Sequence, residues 1–368
     1  MITSVVLLII AAALPAGIAY ARKNPQFGGS VTAEEKKRFE NSMQWRGDIF
    51  ENSSTTTMDM NLKTVPGLLK EFINGRKSRM PKTSIDFHEF DRERFEKGSK
   101  PRFIWFGHSV ALLRIDSINI LIDPMFGPDA SPIGPMRTKR FSDNTLDIID
   151  SLPEIDLVLL THDHYDHLDY QSILKLKNKV KCFYVALGTA RHLIKWGISK
   201  DRIQEFDWWQ KTVFQELEIV FTPSRHFSGR GAFDRAKSLW GGWVVKSKEF
   251  SVYWSGDGGY DSHFKEIGMK YGPFDLGFME CGQYNERWQQ IHMLPEEAVQ
   301  ASMDASVNKA IPVHWGAFSL ALHDWKDPIQ RFEKQAQLDG QDCLFPELGK
   351  VIKYDENHSE PWWERIDY

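Results

Sequence analysis

The sequence predicts an α/β fold in which short strands alternate with helices and run towards a shared edge. Three observations predict it. From Arg102 onward, short runs rich in Ile, Val, Leu and Phe are interleaved with segments of helical spacing. Four of the β-like runs end on a histidine or an aspartate: His162, His226, Asp257 and His314. The densest ending is residues 157–170 (LVLLTHDHYDHLDY), where three histidines and three aspartates follow the apolar run 157–160. One such ending would be chance. Four, with helices between them, fit strands of one or two sheets that converge on an edge, where α/β proteins build sites.

The chain has 368 residues, enough for one large domain or two ordinary ones. Hydrophobic residues make up 42% and charged residues 26%, which excludes wholesale disorder. A formal charge of −4 gives no electrostatic reason to expect nucleic acid. Cys182, Cys281 and Cys343 are scattered and odd in number, so neither a disulfide framework nor a C-x-x-C metal pattern is present. Thirteen tryptophans point to a rich core, or to broad apolar surface such as a lipid-facing groove.

The elements follow in order. Residues 2–21 carry no charge and are dominated by Val, Leu, Ile and Ala. About 20 such residues can span a bilayer as a transmembrane helix. Arg22 and Lys23 follow at once, and no basic residue precedes the run. An uncleaved single-pass anchor with its positive flank cytoplasmic is the favoured expectation. A cleaved signal, leading to secretion or the periplasm, is the alternative: Pro15 would end the apolar core and Ala19-Tyr20-Ala21 would be the cleavage site. Residues 22–100 are polar. Gly28-Gly29-Ser30 reads as a linker. Thr32 is a candidate N-cap for a helix over 33–39, and Pro66 in the first turn starts a second over 65–74. Residues 52–57, rich in Ser and Thr, read as loop.

Runs 103–106, 111–115 and 118–122 then read as a strand meander that Asp123-Pro124 ends, followed by a Gly/Pro-rich loop over 126–140. Strands are predicted at 156–160, 182–186, 217–222, 240–246, 250–255, 275–279 and 309–313. Helices are predicted at 168–176, 189–196 and 295–307. No internal repeat is evident in the residues.

The strand endings carry metal chemistry. His162 and His164, two apart, face the same side of an extended segment, while Asp166 and His167 lie one turn on. His226 can complete the first half-site and His314 the second, with the two oxygens of Asp257 able to bridge them. Nitrogen and oxygen donors without thiolates suit Zn²⁺, with Fe or Mn as options. Two metals about 3.5–4 Å apart would share a hydroxide near neutral pH and clamp a phosphoryl or carbonyl oxygen. Asp163 and Asp169 are candidates to hold histidine tautomers or to cap the next helix. His108 is either a further outer partner or a structural turn residue. Arg225 and Arg230 flank His226 and would either hold a phosphate or form salt bridges. The Trp208-Trp209 pair reads as core packing. His88, His192, His263, His323 and His358 are expected not to ligate.

These residues resemble a known family. THDHYDH (161–167) is similar to the His-x-His-x-Asp-His signature of the metallo-β-lactamase fold superfamily. GHSVALLRI, DPMF, SPIGPMRTKRF, DWW (207–209), FTPSRHFSGR, LWGGW, SGDGGY, GPFDL, YNERW, HMLPEEA and PVHWGAFSLA follow in order between about Arg102 and Asp324. Together they resemble the N-acylphosphatidylethanolamine-hydrolysing phospholipase D branch. The resemblance implies an αββα sandwich with a dinuclear zinc site, two Zn²⁺ per chain. It implies His162, His164 and His226 on one zinc, Asp166, His167 and His314 on the other, and Asp257 bridging. It also implies that Tyr165 and His292 line the site and act in catalysis with Asp166 and Asp257. Three departures stand out: Gly258 where the branch usually carries Thr, a short segment between Trp288 and His292, and ECGQY (280–284) in place of the more usual run.

The expected organisation is an anchor or signal segment at 1–21, a polar region with short helices at 22–100, the hydrolase domain at 101–356 and a tail at 357–368. The expected activity is zinc-dependent phosphodiester hydrolysis through a dizinc-bound hydroxide, on a phospholipid substrate at a membrane, with a homodimer as a possible assembly. The alternatives are a hydrolase of a lactone or soluble phosphodiester on the same fold, and a non-catalytic, membrane-tethered metal-binding scaffold.

Overall fold

Sixteen short strands, β1–β16, account for the sheet structure of the computed structural model, which describes residues 19–20, 23–59, 64–74, 78–131, 137–231 and 233–368. β1 (Trp45–Arg46) and β2 (Ile49–Phe50) form a small hairpin. β3 (Arg102–Trp105), β4 (Ala111–Ile115), β5 (Ile118–Ile122), β6 (Ile155–Leu160), β7 (Val180–Ala186) and β8 (Ile203–Phe206) form the first large sheet. β9 (Lys211–Phe214), β10 (Leu217–Thr222), β11 (Gly242–Lys246), β12 (Ser251–Trp254), β13 (Phe274–Glu280), β14 (Val307–Val313) and β15 (Asp342–Cys343) form the second. β16 (Ile352–Lys353) returns to pair with β3 and completes the first sheet.

Both sheets have the same plan, three antiparallel pairings followed by three parallel ones. Parallel neighbours need crossovers, and most here are helical. Alternation along the strands then sorts side chains into layers. In β5, Ile118, Ile120 and Ile122 join the cluster between the sheets, whereas Leu121 joins the cluster under the helices. In β6, Leu157 and Leu159 go inward and Val158 and Leu160 outward. Helices 148–151, 170–176 and 190–195 cover the first sheet through Ile149, Ile173, Leu176 and Leu193. Helices 263–271, 295–304 and 327–339 pack Phe264, Ile267, Val299, Ile329 and Phe332 against the second. The result is a mixed α/β sandwich with helices outside both sheets. Each fully buried Leu or Ile stabilises it by about 1.5–3 kcal/mol.

The predicted strands recur within one or two residues of their expected limits. The helix expected over 168–176 begins at Tyr170, because the Asp169 carboxylate accepts from Ser172 N (2.8 Å) as its N-cap. The helix expected to reach Val307 stops at Asp304, and Ser306 (φ 60°) turns the chain into β14. Trp208 is buried, its Nε1 donating to Trp240 O (2.6 Å), while Trp209 is partly buried and stacks on Tyr271. Helix 327–339 (DPIQRFEKQAQLD) was not foreseen, because its apolar stripe is thin beside its polar surface.

Part of the N-terminal region lies at the edge that carries the strand endings, where Asn52 and Thr55 meet His226 and Arg225. Thr32 caps helix 33–39 with a full capping box, as expected. Gly28-Gly29-Ser30 is not a free linker. Gly29 N donates to His192 Nδ1 (3.1 Å), Arg191 Nε donates to Gly29 O (3.1 Å), and a Cβ on Gly28 would lie 1.9 Å from His192 Nδ1. That approach, with φ +68° at Gly28, is open only to glycine. At the other end, in the segment expected as a tail, Trp362 and Trp363 are buried against Trp315. The expected anchor or signal segment, Ala19 and Tyr20 apart, lies outside the described residues, among which no helix is long and apolar enough to cross a membrane.

Candidate metal centre

The C-terminal ends of the strands bring seven expected ligands together. His162 and His164 leave β6 directly, and Asp166 and His167 occupy the turn that follows. His226 stands four residues past β10, Asp257 three past β12, and His314 one past β14. Nε2 of His162 lies 2.9 Å from His164 Nδ1, and Nε2 of His226 3.2 Å from it. On the other side, Asp166 Oδ2 lies 3.3 Å from His314 Nε2 and 3.6 Å from His167 Nε2. Asp257 Oδ2 sits between the two groups. It is 3.0 Å from Nε2 of both His167 and His314, and 3.9 Å from Nε2 of both His162 and His226.

The remaining ring nitrogens show why these atoms face inward. His167 Nδ1 donates to Asp123 Oδ2 (2.8 Å). His162 Nδ1 donates to Thr161 Oγ1 (3.0 Å), whose hydroxyl donates to Asp123 Oδ2 (2.6 Å). His226 Nδ1 donates to Ile291 O (2.9 Å), and His314 Nδ1 faces Gly282 O (3.4 Å) and Glu280 Oε1 (3.5 Å). A nitrogen that donates outward leaves the other as a lone pair aimed inward, the usual arrangement around a metal-binding histidine. The His108 and His314 loops are held together by His314 N to His108 O (3.0 Å) and His108 N to Trp315 O (2.8 Å). Both histidines have left-handed backbones (φ 50° and 68°), uncommon for such residues and often found where a site constrains the chain.

The electrostatics ask for positive charge. Burial drives His162 and His226 well below the usual histidine range and His164 to about 4, so these rings are neutral donors. Burial also opposes charge on His167 and His314, but there the carboxylates of Asp257 and Asp166, with Asp123 beside His167, outweigh it. His167 rises to about 10 and His314 well above its range. Burial opposes ionisation of Asp166 and Asp257, yet the adjoining histidines hold both well below the carboxylate range. Buried carboxylates that draw protons onto neighbouring rings would draw a cation into the same space. The donor set, imidazole and carboxylate without sulfur, fits a metal such as zinc.

The centre opens into a cleft of about 480 Å³, with His164, Asp166, Asp257, His292 and His314 exposed to it and Met58, Phe227, Trp288, Ile291 and Leu320 giving it an apolar rim. Arg235 lies at its edge, its guanidinium 3.8 Å from the centre of the Phe227 ring.

Other expected residues sit elsewhere. Arg230 is buried and turned from the cleft, donating to Asp163 O and Leu168 O (2.7 Å each) and to Gln26 O (2.9 Å), so the phosphate contact expected of it is corrected. Arg225 donates to Thr55 O (2.6 Å) and pairs with Asp261 (3.7 Å), the salt-bridge alternative. The Tyr165 hydroxyl donates to Arg230 O (2.6 Å), and its ring lies under the Arg230 guanidinium rather than along the cleft. His292 does line the cleft. Asp163 holds His192 (3.1 Å), Gly229 N (2.7 Å) and Ser238, none of them an expected ligand. His108 Nε2 donates to Asp166 Oδ2 (2.8 Å). Among the described residues, His88, His192, His263, His323 and His358 add nothing to the donor groups.

Sequence reasoning missed Asp123, Thr161, Glu280 and Arg235. Asp123 had a signal: it follows β5 just as the recognised ligands follow their strands. Asn52, within the loop expected at 52–57, clasps His226 through both N (3.1 Å) and O (2.8 Å).

Comparisons with known proteins agree with this geometry. The family described as "Beta-lactamase superfamily domain" matches residues 118–315, a span that holds all seven expected ligands. An uncharacterized protein of Mycobacterium tuberculosis is 39% identical over 264 residues, 70% of each chain. The N-acyl-phosphatidylethanolamine-hydrolyzing phospholipase D 1 of Caenorhabditis elegans is 30% identical over 256 residues, 66% of this chain and 71% of that protein. Among solved structures, the metallo hydrolase Igni18 of Ignicoccus hospitalis shares the fold, with a TM-score of 0.55 at 20% identity over 70% of this chain and 100% of that one. The chain belongs to the beta-lactamase superfamily, in the group that includes N-acylphosphatidylethanolamine-hydrolysing phospholipases D, and is a metal-dependent hydrolase.

Proposed function

We propose that this hydrolase is a zinc-dependent phosphodiesterase of phospholipase D type acting on N-acylphosphatidylethanolamine-like lipids. The observation that carries the reading is the Asp257 carboxylate, poised between two donor groups at the floor of an apolar-rimmed cleft. Two zinc ions held by His162, His164 and His226 and by Asp166, His167 and His314, with Asp257 shared, would supply Lewis acidity and a water ionised near neutral pH.

The chain's own groups account for the rest. Asp166 and Asp257 balance the charge and fix the spacing of the donor groups. Met58, Phe227, Trp288, Ile291 and Leu320 offer apolar surface to acyl chains. Arg235 has no carboxylate within 4.0 Å among the described residues, so its guanidinium is available to an anionic substrate. His292 lines the cleft beside the expected metal donors His164, Asp166, Asp257 and His314. Tyr165, through Arg230, acts by tying the signature turn to the loop that follows His226. The named activity of the nematode relative supports the lipid substrate, and attachment to a membrane through residues 2–21 belongs to the same proposal.

A lipid panel with the zinc-reconstituted protein and product identification by mass spectrometry tests it. An N-acylethanolamine and phosphatidic acid are expected, and Asp257→Asn should lower turnover by more than about 100-fold. Hydrolysis of lactones without hydrolysis of any phospholipid would reject the reading.

A further inference from the structure

Glu280 ends β13 inside the site, yet it is not among the seven metal donors. Its side chain is 1% exposed. Oε1 accepts from His292 Nδ1 and lies 3.5 Å from His314 Nδ1. Oε2 accepts from Gly258 N (3.3 Å) and Met293 N (3.4 Å), so one carboxylate joins the Asp257 loop to the His292 loop. Among the described residues no lysine or arginine pairs with it. A buried carboxylate is costly unless its partners satisfy it, and among the described residues its side-chain partners are two histidines of the site.

The His292 ring is correspondingly fixed. It stacks on His314 (centroids 5.2 Å apart, planes at 10°) and meets His226 edge-on (5.0 Å). Nδ1 is taken by Glu280, while Nε2 has no protein partner among the described residues and the ring lines the cleft. We propose that Glu280 is the positioning residue for His292: it holds the Nδ1–H so that Nε2 is presented to the substrate as a hydrogen-bond acceptor, able to take the amide N–H of an N-acylethanolamine leaving group. The logic is that of any ring whose reactive nitrogen is set by the acceptor on the other. Glu280 falls in the ECGQY run, where this chain departs from the branch it otherwise resembles. The inference rests on the phosphodiesterase reading for the identity of the substrate but not for the orientation of the ring.

Two measurements on the zinc-loaded full chain test it. The first is a double-mutant cycle of N-acylphosphatidylethanolamine hydrolysis with Glu280→Gln, His292→Ala and the pair, at equal zinc content. Glu280→Gln should lower kcat by about 10-fold or more. The double variant should match His292→Ala within about 2-fold, because a residue acting through another adds nothing once the other is gone. Glu280→Asp keeps the charge beside His314 but withdraws the oxygen by one methylene. It should lose activity as well, whereas a purely electrostatic role at the metals would leave it near wild type. The second is nitrogen-15 NMR of histidine-labelled protein without substrate. His292, identified by its loss in His292→Ala, should carry its proton on Nδ1 in the wild type and lose that preference in Glu280→Asp. Additive losses in the cycle, or an Nε2–H tautomer in the wild type, would overturn the proposal. If no phosphodiester is turned over, the substrate reading fails while the NMR result still decides the role of Glu280.

Discussion

Replacing Asp123 by alanine removes the acceptor on which two of the expected metal ligands depend. The carboxylate is fully buried and takes three hydrogen bonds: Thr161 N on Oδ1 (2.8 Å), and Thr161 Oγ1 (2.6 Å) and His167 Nδ1 (2.8 Å) on Oδ2. His167 is oriented directly and His162 through the Thr161 hydroxyl. Losing an outer partner of this kind typically costs 10- to 100-fold in metal affinity, or about 1.4–2.8 kcal/mol. If zinc fills both donor groups as proposed, Asp123→Ala should weaken it by about 10- to 100-fold at His167, and by less at His162, where the contact is relayed. Asp123→Asn sharpens the test. Its amide oxygen can stay in the Oδ2 position and keep two of the three contacts, so its loss should be under about 10-fold. Asp123 has φ 41°, which asparagine tolerates better than alanine, so part of any destabilisation by alanine comes from the backbone. Urea unfolding of the metal-free proteins isolates that part, and competition with a chromogenic chelator reads the zinc affinity. Wild-type affinity at both sites in Asp123→Ala, or equal losses in the two variants, would refute the reasoning.

Two further outcomes follow from the geometry. If Arg235 meets the substrate's negative charge, Arg235→Ala should raise KM for anionic phosphodiesters by about 10-fold and leave a neutral lactone unaffected; equal changes on both would sink that role. Stability should also depend on pH through His192, which burial, with Arg191 adding, pulls from 6.5 to about 3. The folded ring stays neutral where the unfolded ring binds a proton. Its contribution is therefore complete above about pH 6.5 and declines by about 1.4 kcal/mol per pH unit as pH falls towards 3. Urea unfolding in chelator at pH 7 and pH 5 should show a larger loss for the wild type than for His192→Gln, and parallel losses would contradict the assignment.

Residues 157–170 were legible because their chemistry is local: spacing places His162 and His164 on one side, and donor type limits the metal. Arg230 shows where local reading stops. Its neighbour in sequence is the His226 segment, which suggested a phosphate contact, yet three backbone carbonyls draw it inward, one of them 204 residues away. Glu280 ends an apolar run and heads the ECGQY departure, but its role is unreadable until the histidine it faces is known.

The sequence by itself determined the strand cores, the helix caps and the ligand types, because periodicity, capping and donor chemistry depend on residues a few positions apart. Only the tertiary structure decided that Asp123 and Glu280 set the rings from behind. It also showed that two sheets with no evident sequence repeat share one plan of pairings. These relations join residues as far apart as His167 and Asp123, 44 positions, and His314 and Asp166, 148 positions. Which buried groups meet across such separations is set by how the two sheets pack, and no local pattern records it.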